Sequence, residues 1–187
     1  FSFLERLEKE GTEYGKWSIG KGKSLFIQAG VLAAAKEVSP NQARILIFGS
    51  AIARLLKAIG YHVHLEARVL DHAGVSIDPD LSGLRVELDR LYTTSSLHTQ
   101  SRVPDMTERL KESGGELFLD GENLTLQLVE EIAYQKQQKE RNYNHYIYLA
   151  PQNQLKEAFW RPLSESFGFQ PQELEFIGFA PLNLSSE

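Results

Sequence analysis

Cysteine is absent from all 187 residues. That excludes disulfides, thiolate metal sites and a cysteine nucleophile, and a reducing, cytoplasmic setting is the simplest one for such a chain. No apolar run approaches the ~18 residues of a membrane span. The longest, Ile45 to Phe48, leads into a segment carrying Arg54 and Lys57. No membrane partner is expected, and no secretory leader is visible. An excess of basic charge is missing too: the formal net charge is −5, whereas proteins that bind nucleic acid unaided usually carry a basic face. Internal repeats and low-complexity tracts are absent. The first residue is Phe1 rather than Met, so the natural N-terminus is expected upstream.

What is present suits an ordinary globular domain. Apolar residues make up 42% and charged residues 24% of the chain, enough for a sizeable core. The whole of 1–187 reads as one domain with an irregular insertion at about 70–120, or as a fragment of a longer chain. "SFLERLEKEG" reads as a helix and residues 24–30 as a strand. Pro40 stands where a helix can begin, with Ser39 or Asn41 as its cap. Ile45, Phe48, Ile52, Leu55, Leu56 and Ile59 recur at three and four residues, which predicts a helix over 41–59 that Gly60 ends. Residues 61–69 read as a strand, with Val63 and Leu65 on one side and His62 and His64 on the other. A helix is expected near 82–92, a polar loop in "TTSSLHTQSRVPD", a capped helix over 105–115 and a short strand after it. A long helix over 124–142, a strand over 145–150, a helix over 151–168 that Pro162 interrupts, and a strand over 174–182 complete the chain. This alternation predicts an α/β fold: a mostly parallel Rossmann-like sheet with helices on both faces. Ligands in such sheets sit at the carboxyl ends of strands near the switch point. That places a site among the loops 29–42, 68–75 and 150–154.

Several stretches, in order, resemble the catalytic core of arginyl-tRNA synthetase, a class I synthetase of the HUP type. They are "YGKWSIGKGKSLFIQAGVLAAAK", "GSAIARLLKAIGYHVHLEARVLDHAG", "LDGENLTLQLVEEIAYQKQQKERNYNHYIYLAPQNQ" and "ELEFIGFAPLN". The second is similar to the family's "GDALARLLEFLGHKVIRDNHVGDWG" segment. Order and spacing, rather than any one piece, carry the likeness.

The departures bear on function. The family's His-Ile-Gly-His signature falls on Ser39-Pro40-Asn41-Gln42. Serine, asparagine and glutamine carry no positive charge for the phosphates of ATP, and one lost electrostatic donor costs roughly 3 kcal/mol of transition-state stabilisation. Pro40 also removes a backbone N–H from the helix N-terminus, where phosphate would bind. The family's Lys-Met-Ser-Lys-Ser loop would follow Asn183, and neither it nor the tRNA-reading domain beyond it occurs before Glu187. The amino-acid pocket is partly kept. The aspartate that grips the substrate guanidinium falls on Glu131, or on Glu130 with a one-residue slip. The pocket tyrosine falls on Gln127, and the glutamine closing the next strand is kept as Gln154. The family's lysine and arginine flanking the first signature match Lys36 and Arg44.

Each candidate has a plainer reading. Glu130 and Glu131 suit a helix start, where acids favour the dipole. Gln154 suits a helix surface, and Asp71-His72 a cap or turn. His62 and His64 lack a third ligand for a metal. Asp78, Asp80, Glu87 and Asp89 lack the lysine that a magnesium-dependent nuclease site needs, and "KQQKER" suits a solvated helix face. Trp160, Phe167 and Phe169 suit either an interface or the core. The resemblance with its departures implies a synthetase-like domain without catalytic residues, metal or cofactor, acting as a binding or scaffold module for tRNA or a protein partner. The alternative is an active divergent synthetase or amino-acid ligase that uses ATP. A further one is a Rossmann-like assembly subunit unrelated to translation.

Overall fold

The protein was analysed as a computed structural model that describes residues 3–15, 17–33, 37–71, 79–100, 122–151, 164–165 and 168–180, with 122–129 as backbone only. The elements run α1 (Phe3–Glu10), β1 (Ser24–Ala33), α2 (Pro40–Ala58), β2 (His62–Leu70), β3 (Arg90–Thr93), a short α3 (Ser95–Thr99), α4 (Glu122–Glu140), β4 (His145–Pro151) and β5 (Leu174–Phe179). The strands form one sheet in the order β3-β2-β1-β4-β5. Every pairing is parallel. The chain winds outward from β1 through β2 to β3, then returns to the other side of β1 for β4 and β5. The switch point therefore lies at the carboxyl ends of β1 and β4.

Strand alternation divides the sheet into two unlike faces. Leu25, Ile27 and Ala29 of β1 join Val63, Leu65, Ala67 and Val69 of β2, and α2 covers them with Ile45, Leu46 and Ala53. The opposite residues, Phe26, Tyr146 and Tyr148, pack with Tyr92, Leu97 and Phe169 under Ile132 and Tyr134 of α4. That face also buries Gln28, Glu66 and Arg68. One face is aliphatic and the other is aromatic and polar.

Gly49 sets how closely α2 approaches the sheet. A Cβ there would stand 2.8 Å from the Ala29 Cβ and 3.2 Å from Leu149 Cδ1. The first neighbour is fixed to the backbone of a central strand and cannot yield. Gly60 closes the helix at φ +95, as its place in the sequence predicts.

The structure corrects the sequence at several points. Residues 82–92 are not a helix: they hold a single 3-10 turn at Ser82–Leu84 and the start of β3. Leu84, Leu88 and Leu91, spaced at four and three residues, pack instead with Val86 against the aliphatic cluster, so tertiary contact overrides their helical spacing. The polar stretch after Tyr92 is not wholly a loop, because it forms α3 with Leu97 fully buried. Glu131 lies in the middle of α4 rather than at a helix start. Phe169 is core, 1% exposed. β1 runs three residues beyond its expected end and β5 stops at Phe179. The expected helix over 105–115, the strand after it and most of the expected helix over 151–168, with Trp160 and Phe167, lie outside the described residues.

Two predictions follow from this packing. Gly49→Ala is expected to lower unfolding stability by about 1–3 kcal/mol through overpacking. Gly83→Ala, with nothing within 4 Å of the added carbon, is expected to stay within about 0.5 kcal/mol of the parent; urea denaturation of both checks this. The second concerns Lys139, whose Nζ lies 2.6 Å from Glu173 Oε2 and 5.1 Å from the Phe169 ring centre. Its hydrogen bond holds the Glu173 carboxyl below the ordinary 4.5 against a weaker opposing effect of burial. A depressed carboxyl contributes stability above its unfolded value and loses it as pH falls through the folded one. Melting temperature is therefore expected to drop on acidification below about 4.5, and less steeply in Lys139→Met.

Candidate functional site

A cavity of about 260 Å³ opens at the switch point. Gly30, Val31 and Leu32 of β1, Pro151 of β4 and Phe179 of β5 form its floor, and Ser39, Asn41, Gln42, Arg44 and Ile45 of α2 form its wall. The structure thus gathers Ser39, Asn41 and Gln42 at one mouth, where the strand order predicts a ligand site.

The start of α2 is closed on itself. Ser39 Oγ accepts from the Gln42 backbone N–H at 3.3 Å, and Gln42 Oε1 accepts from the Ser39 N–H at 3.1 Å and from its hydroxyl at 2.9 Å. This reciprocal pair is a capping box. Gln42 Nε2 is spent as well, donating to the Val31 carbonyl at 3.3 Å. Pro40 has no N–H, and the Ala43 N–H goes to the Ser39 carbonyl at 2.8 Å. Arg44 is the only charged residue among the described lining. Its guanidinium donates to the Ala180 carbonyl and lies 5.5 Å from the Phe179 ring centre. Ser39 and Gln42 are thus bound within the chain, whereas Arg44 Nε is buried without a hydrogen-bond partner among the described residues.

Glu131 does not line this cavity. It sits on α4 under the other face, where Arg68 of β2 donates to its Oε2. The Arg68 guanidinium lies 4.9 Å from the Tyr134 ring centre, and Gln135 Nε2 donates to Glu131 Oε1 at 3.4 Å. Tyr134 donates its hydroxyl to Glu66 at 2.7 Å. Glu66 also receives Arg141 Nη1 at 3.4 Å and stands 3.4 Å from His64. Burial, then the Glu66 charge, pushes the Tyr134 hydroxyl well above the ordinary tyrosine range. Burial, then the Glu131 charge, does the same at Tyr148. Both phenols stay protonated at neutral pH.

Glu130, one residue earlier, pairs with the half-exposed His98 at 2.7 Å. Gln127 falls on α4, and its side chain lies outside the described residues, as do Gln154, Lys36, His72 and Asp78. Asp71 accepts from the Ser95 N–H at 2.8 Å and from its hydroxyl, which fits the cap-or-turn reading. Asp80 accepts from Ser82 and Asp89 from the Leu65 N–H, both structural roles. His62 is exposed, and His64 stacks on Phe26 with ring centres 5.9 Å apart. Among the described residues no three His, Asp or Glu side chains are placed to share a metal, and no helix is long and apolar enough to cross a membrane.

The residues that sequence reasoning missed are Glu66, Arg68, Tyr134 and Tyr148. The signal for Glu66 and Arg68 was in the strand "HVHLEARVL": opposite charges two apart in a strand buried on both faces must share a side and find partners there.

No family model matches the chain. A 72-residue stretch is 35% identical to an arginine–tRNA ligase of Pyrococcus furiosus, covering 38% of this chain and 11% of that protein. An 80-residue stretch is 26% identical to the ligase of Thermococcus sibiricus, covering 43% and 12%. Among solved structures, a Campylobacter jejuni protein described as an arginyl-tRNA synthetase superposes with TM-score 0.71 at 13% identity, over 94% of this chain and 58% of that one. The arginyl-tRNA synthetase of Plasmodium falciparum superposes with TM-score 0.58 at 15% identity, over 94% and 45%. The matched stretches span about a tenth of the curated relatives, and the superposed part about half of the solved chains. The fold is that of an arginyl-tRNA-synthetase-like domain, with an all-parallel sheet of five strands.

Ser39→Ala is expected to cost about 1 kcal/mol, because the Gln42 backbone N–H loses its acceptor and the Gln42 side-chain oxygen keeps only the backbone N–H of residue 39. Chemical denaturation checks it.

Proposed function

We propose that this domain no longer forms an aminoacyl-adenylate and works as a binding or scaffold module for tRNA or a protein partner. The observation that carries the reading is the closed start of α2. Adenylation needs free donors where charge builds on the phosphates. Here Ser39 and Gln42 satisfy each other, Pro40 offers no N–H and Arg44 donates through Nη2 to the residue after β5, which leaves its buried Nε without a partner among the described residues. An outward strip of α2 supports the binding side of the reading. Ile47, Phe48 and Leu55 are 47%, 40% and 68% exposed, and a shallow apolar groove runs along Pro40, Ala43, Ile47, Phe48 and Ala51. Exposed apolar surface of this kind marks contact sites.

The cavity at the switch point favours one second reading, a divergent synthetase or ligase that still takes ATP. Asn41, Ser39 and Gln42 would then reorganise around the nucleotide. The experiment that separates the two is arginine-dependent exchange of pyrophosphate into ATP, with and without tRNA, beside a thermal melt with ATP and arginine. The expected outcome is no exchange and an unchanged melting temperature at ligand concentrations that would shift a binder by several degrees. Exchange above background with arginine would overturn the first reading.

A further inference from the structure

The buried guanidinium of Arg68 is only half used. Its Nη2 meets Glu131, while Nε and Nη1 are buried without a partner among the described residues. Gln28 Oε1 and the hydroxyls of Tyr92 and Tyr148 share that condition. The sheet register places them together: Gln28 pairs with Glu66 on one side and with Tyr148 on the other, and Arg68 pairs with Tyr92. All project from the α4 face.

These are the parts that recognise a guanidinium: a carboxylate, the face of an aromatic ring and further oxygen acceptors around it. A strand residue fixed beside Glu131 also holds a large advantage over any free ligand, since its effective concentration reaches the millimolar range or above. We infer that the cluster between β2 and α4 is a guanidinium-binding site which the chain fills with its own Arg68. A ligand with a guanidinium group, arginine included, is shut out while Arg68 is in place. The inference rests on the reading of a silent arginine-type domain and gives it a cause at the amino-acid end, independent of the closed α2 start.

Arg68→Met keeps most of the apolar stem and removes the guanidinium. Calorimetric titration with ethylguanidinium, arginine and lysine is the test. Arg68→Met is expected to bind ethylguanidinium and arginine at least about tenfold more tightly than the parent protein does, and lysine no better than the parent. Adding Glu131→Gln is expected to abolish that gain. Equal titrations for parent and variant, or no preference for guanidinium over ammonium in a folded Arg68→Met, would overturn the inference.

Loss of the guanidinium leaves a buried carboxylate unpaired, so the variant can fail to fold. Two readouts then decide. Ethylguanidinium at about 20 mM is expected to restore the native circular dichroism where tetramethylammonium does not, by binding the folded state alone. In the parent, nuclear magnetic resonance is expected to show slow rotation of the Arg68 guanidinium, lost in Glu131→Gln; a freely rotating group refutes self-occupancy. Pyrophosphate exchange keeps the two claims apart. Exchange by the parent with arginine defeats both. Silent exchange with no guanidinium binding by Arg68→Met defeats this one and leaves the functional reading standing.

Discussion

A guanidinium under the centre of a sheet has to be neutralised on the spot. Arg68 is 5% exposed and the Glu131 side chain 15%, and breaking such a pair from one side costs about 3–5 kcal/mol. The pair therefore constrains more than itself. Arg68 is fixed by the β2 register, so Glu131 must present its carboxylate over that register, and α4 must lie where Tyr134, one turn on, can pass beneath the guanidinium. The same turn delivers the Tyr134 hydroxyl to Glu66. Arg141 then closes the charge on Glu66 from just past the end of the helix. Two carboxylates and two guanidiniums lock α4 to β2 with side chains whose geometry has little freedom.

The other face of the sheet works by a different rule. α2 meets it mainly through aliphatic contacts, with one hydrogen bond from Gln42 to Val31 at its start, and its distance is set by a missing Cβ at Gly49. Non-directional burial of this kind tolerates sequence change as long as volume is kept. A polar layer does not, because each group left unpaired carries a desolvation cost. The face with α4 is thus the one that tolerates substitution least, while the α2 face is the more permissive.

Those two rules explain what was legible in the sequence. The 3.6-residue period of α2 and its stop at Gly60 were readable because local spacing and aliphatic burial agree there, and the cap was narrowed to Ser39 or Asn41, of which the structure uses Ser39. The parallel sheet was readable from strands separated by helices. Residues 82–92 misled because Leu84, Leu88 and Leu91 have helical spacing yet are half-buried by contact with the aliphatic cluster, a long-range fact. The candidate site was readable in part. Ser39, Asn41 and Gln42 do come together at the switch point. What local pattern cannot show is that Ser39 and Gln42 are spent on each other. Nor can it show that Glu131 is met by Arg68, 63 positions earlier in the chain, since that pairing exists only once β2 and α4 are packed.

A domain of this architecture can lose chemistry by deleting its polar groups or by marrying them to one another. Deletion leaves apolar or empty positions and costs little stability. Internal pairing leaves the groups in place and turns them into structure. On the proposed reading the start of α2 is of the second kind: a serine and a glutamine can hydrogen-bond a ligand in principle, and here they form a capping box instead. On the proposed reading the Arg68–Glu131 pair is a second instance on the opposite face. Internal pairing has a consequence that deletion does not. The paired groups now hold the fold together, so restoring a ligand site requires giving up stability at the same residue. On that reading the coupling makes a silent state hard to reverse by single substitutions, and it accounts for a buried polar layer persisting in a core that hydrophobic residues could fill.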